Sequence, residues 1–208
     1  MARAFRATTR GYRADMETYE RRLLSHLCAD VISMLEARGQ ASGDDAATAP
    51  EDGFAHFRRE LAGLGVDIDG ETEESGLEPP ADAALARLLP DASGDPAEAA
   101  QLRRLSEASL RESKIADLRA ARMALESDPV SLSEEQAPVF GRALNAVRLT
   151  LAARLEIDDE DDAERVHQMA SGSKASTTEE FMAELYTFTT WLQESLFSAM
   201  LDVMPDDQ

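Results

Sequence analysis

Cysteine is nearly absent from this chain of 208 residues: Cys28 stands alone, so no internal disulfide can form. A lone thiol in a helical apolar stripe suits a reducing compartment, which makes the cytoplasm the expected location. Tryptophan is also single (Trp191), and lysine accounts only for Lys114 and Lys174 among 21 basic residues. No apolar run approaches the roughly 20 residues that span a bilayer, so no membrane segment is expected. The opening Met1-Ala2-Arg3-Ala4-Phe5-Arg6 lacks the apolar run of a signal peptide. Histidine is scarce, and His26, His56 and His167 lie far apart outside any His-Glu-x-x-His arrangement. His26 and Cys28 are two residues apart, so on a helix they diverge by about 200° and cannot share a metal. The nucleophile elbow, the phosphate-cradling loop and the dinucleotide fingerprint are all missing. Ser171-Gly172-Ser173-Lys174 lacks the first glycine of a phosphate loop and no strand precedes it.

Acid is what the chain has in excess. The net charge is −20. Residues 41 to 98 hold 15 acids against Arg58, Arg59 and Arg87, and residues 156 to 164 hold seven acids and no base. Those stretches carry −12 and −7, leaving −1 for the remainder. The expectation is a nearly neutral helical body with acidic flexible insertions near 40–53, 66–80 and 157–176. A field of this sign repels phosphates and anionic membrane surfaces unless charge is locally segregated. Neither acidic stretch reads as a calcium site. The run at 158–162 has no glycine to fold it inward, and after Asp67, Asp69 and Glu71 the sixth loop position is Thr72 rather than glycine.

With 43% apolar residues the chain can bury a core, and its length fits one domain over 1–208. Ala4–Thr8 and Tyr12–Met16 alternate as short strands around Thr9-Arg10-Gly11, where glycine supplies the positive φ of a tight hairpin. From Glu17 to Arg38 apolar residues recur at helical spacing, with Gly39 as the stop signal. A short helix is expected over Phe54–Leu64, and another after Asp82 with Leu85, Leu88 and Leu89. Pro96 opens the longest helical tract. Its spacing slips near Ser106, which predicts two helices or a kink with Ser106 or Ser109 as an internal cap. Ser133/Gln136 and Thr177/Glu180 match capping boxes. The first opens a helix through Phe140, Leu144, Val147 and Leu151. The second opens a last helix, to about Met204, whose broad apolar face suits the centre of a bundle or a subunit interface. The predicted fold is mainly α, an orthogonal or bundle-like assembly of helices with a short N-terminal β-hairpin.

Several segments also resemble a known family. Arg87-Leu88-Leu89-Pro90-Asp91-Ala92, Leu102-Arg103-Arg104-Leu105, Leu110-Arg111-x-x-Lys114-Ile115-Ala116-Asp117, Arg142-Ala143-Leu144-Asn145 and Trp191-Leu192-Gln193-Glu194-Ser195 are similar to an actinobacterial family. That family is known only as domain of unknown function two-thousand-and-seventeen. The resemblance implies no established activity, although some members carry a transcriptional-regulator label. It also implies genes beside the adaptor that feeds substrates to the Clp protease and near a sulfur-carrier and cysteine-synthesis cluster. Gln193 and Glu194 are candidate contact residues, whereas Trp191 and Leu192 are expected in the core.

No catalytic, cofactor-binding or metal-ligating residue is expected. The leading reading is a non-enzymatic protein acting through protein–protein contacts, linked to the Clp-protease adaptor or forming a homodimer through the last helix. The alternative is a winged-helix-like DNA-binding regulator. It would use Arg3, Arg6, Arg10 and Arg13 on the hairpin, Arg103, Arg104, Arg111, Lys114, Arg119 and Arg122 on the long tract, and Arg142, Arg148 and Arg154. Pairing of these arginines with nearby acids is the bland counterpart of that idea.

Overall fold

Gly11 does what its place in the turn demands. In the computed structural model, which describes residues 2–47, 77–171 and 175–203 (side chains of 41–47 excepted), its φ is +115°. A Cβ there would collide with the Leu132 carbonyl oxygen. Strand β1 (Arg6–Thr8) pairs antiparallel with β2 (Gly11–Ala14), with Arg6 opposite Arg13. A third strand, β3 (Val130–Leu132), was not expected and pairs antiparallel with the other edge of β2. Val130 and Leu132 are buried and Ser131 is exposed, an alternation too brief to stand out in sequence.

Helix α1 (Thr18–Ala47) runs through Gly39 instead of stopping there. A Cβ on Gly39 would lie 2.9 Å from the Arg111 guanidinium, so this glycine leaves room for that side chain and does not end the helix. The flexible insertion expected from residue 40 is therefore helical to Ala47. Residues 48–53, the helix expected over 54–64 and the 66–76 part of the second acidic linker lie outside the described residues.

Helix α2 (Ala83–Leu88) starts as expected, with Asp82 Oδ1 accepting from the amides of Ala84 and Leu85. Helix α3 (Pro96–Ala124) is capped by Asp95 and continuous. The two-helix reading of the slip near Ser106 is not met, because the helix runs without interruption through it. The buried stripe passes from Ala99 through Arg103 and Glu107 to Ile115, so charged residues occupy the positions where apolar ones were sought. Ser106 Oγ donates back to the Leu102 carbonyl and caps nothing.

Helix α4 (Gln136–Arg154) opens with the reciprocal Ser133–Gln136 hydrogen bonds and is buried on most of its circumference. It packs against α1, α2, α3 and the last helix, so the central element is α4 rather than the last helix. Helix α5 (Glu160–Ala170) replaces most of the third expected insertion. Its acids Glu160, Asp161 and Asp162 form the first turn, where carboxylates complement the helix dipole, and Asp159 caps it. Val166 fastens it to a cluster of Ala152, Leu155, Ile157 and Ala183. Helix α6 (Thr178–Leu201) begins at the predicted Thr177–Glu180 capping box. The sheet lies against α6 through β1 and β2 and against α3 through β3. Among the described residues no helix is long and apolar enough to cross a membrane.

Candidate functional site

The surplus charge is not confined to tethers. Asp82 caps α2 and pairs with Arg154, Asp91 pairs with Arg103, and Asp158 pairs with Arg87. Many of the arginines considered for DNA are likewise committed: Arg6 and Arg13 to Asp15, Arg119 to Glu36, and Arg142 to Asp117 through two hydrogen bonds. Arg148 donates to Asn145 and Arg122 to Ser25. Arg103 is buried and reaches Glu107, which Arg38 also holds.

Two further arginines do structural work that spacing alone did not disclose. Arg21 is buried and donates to the carbonyls of Leu125, Glu126 and Ser127 and to Asp128, closing the C-terminal end of α3. Arg38 donates to the Glu78 carbonyl, and Arg103 to the Leu89 carbonyl, which pins residues 78–91 to the α1–α3 pair.

Cys28 is 1% exposed, and burial pushes its thiol up to about 12, with only a partial pull downward from Arg122. The thiolate is therefore negligible at neutral pH. Labelling of the folded protein by an aromatic disulfide reagent should run at least about 100-fold slower than labelling of the denatured chain; comparable rates would contradict the buried placement. His26 and His167 are exposed, and His56 lies outside the described residues. Among the described residues no three of His, Cys, Asp and Glu are placed to share a metal ion.

The last helix separates its motif in an unexpected way. Leu192 is fully buried, but Trp191 is 37% exposed and does not join the core as expected. Gln193, proposed as a contact residue, is buried and donates to the Gly141 carbonyl at 3.0 Å, while Glu194 is exposed. The physical reason is angular. Trp191 shares its helical face with Glu184, Thr187 and Glu194, seven and four residues before it and three after, and that face is polar.

On that face lies a groove of about 510 Å³ lined by Ala2, Glu20, Ala170, Glu184, Thr187, Phe188 and Trp191. Three elements build it: α6 supplies its floor, the chain start with the first turns of α1 supplies one wall, and the end of α5 closes it with Ala170. Phe188 and Trp191 stack with centroids 6.0 Å apart and planes 28° from parallel. Glu20 is held in place by accepting from the amides of Ala2 and Glu17, each at 2.8 Å. Neither the Glu184 carboxylate nor the Trp191 indole N–H has a hydrogen-bond partner among the described residues. The lining thus joins a stacked aromatic pair, with Trp191 its more exposed member, to two carboxylates.

The expected relationship to a known family can be settled against this background. Neither the curated proteins nor the solved structures offer a significant match to the chain. Residues 2–200, which take in the hairpin, the Trp191 motif and the helices up to, but not including, the last residue of α6, match one family model, and the chain belongs to that family, described as Domain of unknown function (DUF2017).

Proposed function

We propose that the protein is a non-enzymatic contact module that docks a segment of another protein in the Trp191 groove. The observation that carries this reading is the stacked Phe188–Trp191 pair, placed in a concave site beside carboxylates. Tryptophan combines a large apolar body with one N–H donor, which makes it the commonest anchor of protein interfaces. The groove favours binding over catalysis, because its described lining holds no histidine, lysine or cysteine to act beside the carboxylates.

A second copy is the poorer occupant. Each chain carries −20, and a symmetric contact across the groove would bring Glu184 and Glu20 toward their own counterparts. The partner is therefore a different protein, with the Clp-protease adaptor as the first candidate to test. Trp191→Ala should lower the unfolding free energy by about 1–3 kcal/mol, because most of the ring is covered and it stacks on Phe188, so affinity is compared where the variant remains folded. The same change should weaken the partner complex by about 2 kcal/mol or more, roughly 30-fold in Kd. Chemical denaturation paired with calorimetric titration of the isolated partner reads both. Unchanged affinity in a folded Trp191→Ala variant would refute the groove as the docking site.

A further inference from the structure

The groove also specifies the charge of what enters it, and we infer that the docked segment presents an arginine to the Phe188–Trp191 platform. This rests on the docking reading above and adds the partner's chemistry. Four observations converge. The described lining holds two carboxylates and no cation. Glu184 precedes Phe188 by one helical turn and Trp191 by two, so carboxylate and rings line up along one face. The Glu184 carboxylate has no ion-pair partner among the described residues, so its charge is available to an incoming cation. The whole chain then adds a field of −20 that draws cationic segments in and repels anionic ones.

A guanidinium suits this arrangement better than an ammonium. It is planar, it stacks on aromatic faces, and its edge can donate two hydrogen bonds to a carboxylate while its face lies on the rings. An arginine over the platform with its edge toward Glu184 would satisfy both demands at once. Apolar residues flanking that arginine would cover the remaining ring surface. An anionic membrane surface meets its own sign of charge here and is disfavoured.

The test uses the single tryptophan as its own reporter. Trp191 emission of the full chain is followed while adding a short amphipathic helical peptide that lacks tryptophan and tyrosine and carries leucines flanked by arginines. Matched peptides carry lysine or glutamine at the arginine positions. The arginine peptide should bind about tenfold more tightly than the glutamine peptide, with the lysine peptide between them. Raising salt from about 50 to about 300 mM should remove most of that advantage. Glu184→Gln, whose thermal midpoint should match wild type, should lower the arginine peptide's affinity about threefold while leaving the glutamine peptide unaffected. Equal binding of the arginine and glutamine peptides, or no response to either, overturns the inference. Argininamide binding as tightly as the peptide would overturn a protein segment as the occupant. A natural partner that depends on Trp191 but ignores Glu184→Gln and salt would sink the arginine while sparing the docking site. A partner indifferent to Trp191→Ala would sink both.

Discussion

Glu107→Ala is expected to destabilise the protein by about 3–5 kcal/mol, because it strands a buried cation. The side chains of Arg103 and Glu107 are 4% and 2% exposed and meet at 2.9 Å, and Arg38 Nε donates to the other oxygen of Glu107 at 2.8 Å. Removing the carboxylate leaves Arg103 with only Asp91 and the Leu89 carbonyl, and Arg38 loses two of its hydrogen bonds. The loss should not remain local, since these arginines hold residues 78–91 against α1 and α3. Amide exchange in α2 should therefore accelerate along with the drop in the denaturation midpoint. A change below about 1 kcal/mol would show that the cluster contributes little beyond its own desolvation.

The same carboxylate makes a statement about acid stability. Burial raises the pKa of Glu107, but hydrogen bonds and charges from Arg38 and Arg103 outweigh it and hold the group below its ordinary value of 4.5. A folded-state pKa below the unfolded one means that the unfolded chain takes up the proton first. The contribution is complete above the unfolded value and fades as pH falls through the folded one. Between about pH 5 and 3 the wild type should lose stability more steeply than Glu107→Ala, so the two curves converge toward acid.

Phe140→Ala is the second large effect, at about 3–5 kcal/mol. Phe140 is 2% exposed on the central helix α4, and its ring meets that of Phe5 edge-on, with centroids 5.8 Å apart and planes at 68°. Deletion empties the middle of the larger core cluster and also removes an aromatic contact worth about 1 kcal/mol. Phe5 precedes β1, and its amide donates to Ser195 of α6, so the sheet should loosen with the core. Equilibrium unfolding followed by Trp191 emission measures this. Phe140→Leu, which fills more of the volume, should recover part of the loss.

The start of each helix was easier to read in the sequence than its course. Asp82, Pro96, Ser133/Gln136 and Thr177/Glu180 carry local chemistry that acts within one turn, and all four mark real helix starts. Errors arose where a distant residue decided the outcome. Gly39 looks like a stop until Arg111 is seen packed against it. The slip at Ser106 looks like a break until Arg103 and Glu107 are found paired inside. The acids of 158–162 look like a loose linker until Val166 anchors the helix they open. The groove lay between these cases. Glu184, Thr187 and Glu194 share a face with Trp191 in the sequence itself and mark it as a face turned toward water. The walls at Ala2, Glu20 and Ala170 arise only when three separated segments meet.

Site-directed photo-crosslinking tests the docking site most directly. A photoreactive residue is placed at Thr187 inside the groove, at Glu194 on its flank, or at exposed Ser113 on α3, in protein expressed in its own cells. The same discrete adduct should form from positions 187 and 194, vanish in Trp191→Ala, and be absent from position 113. Adducts of equal yield from all three positions, or an adduct that survives Trp191→Ala unchanged, would contradict a partner seated on the aromatic platform.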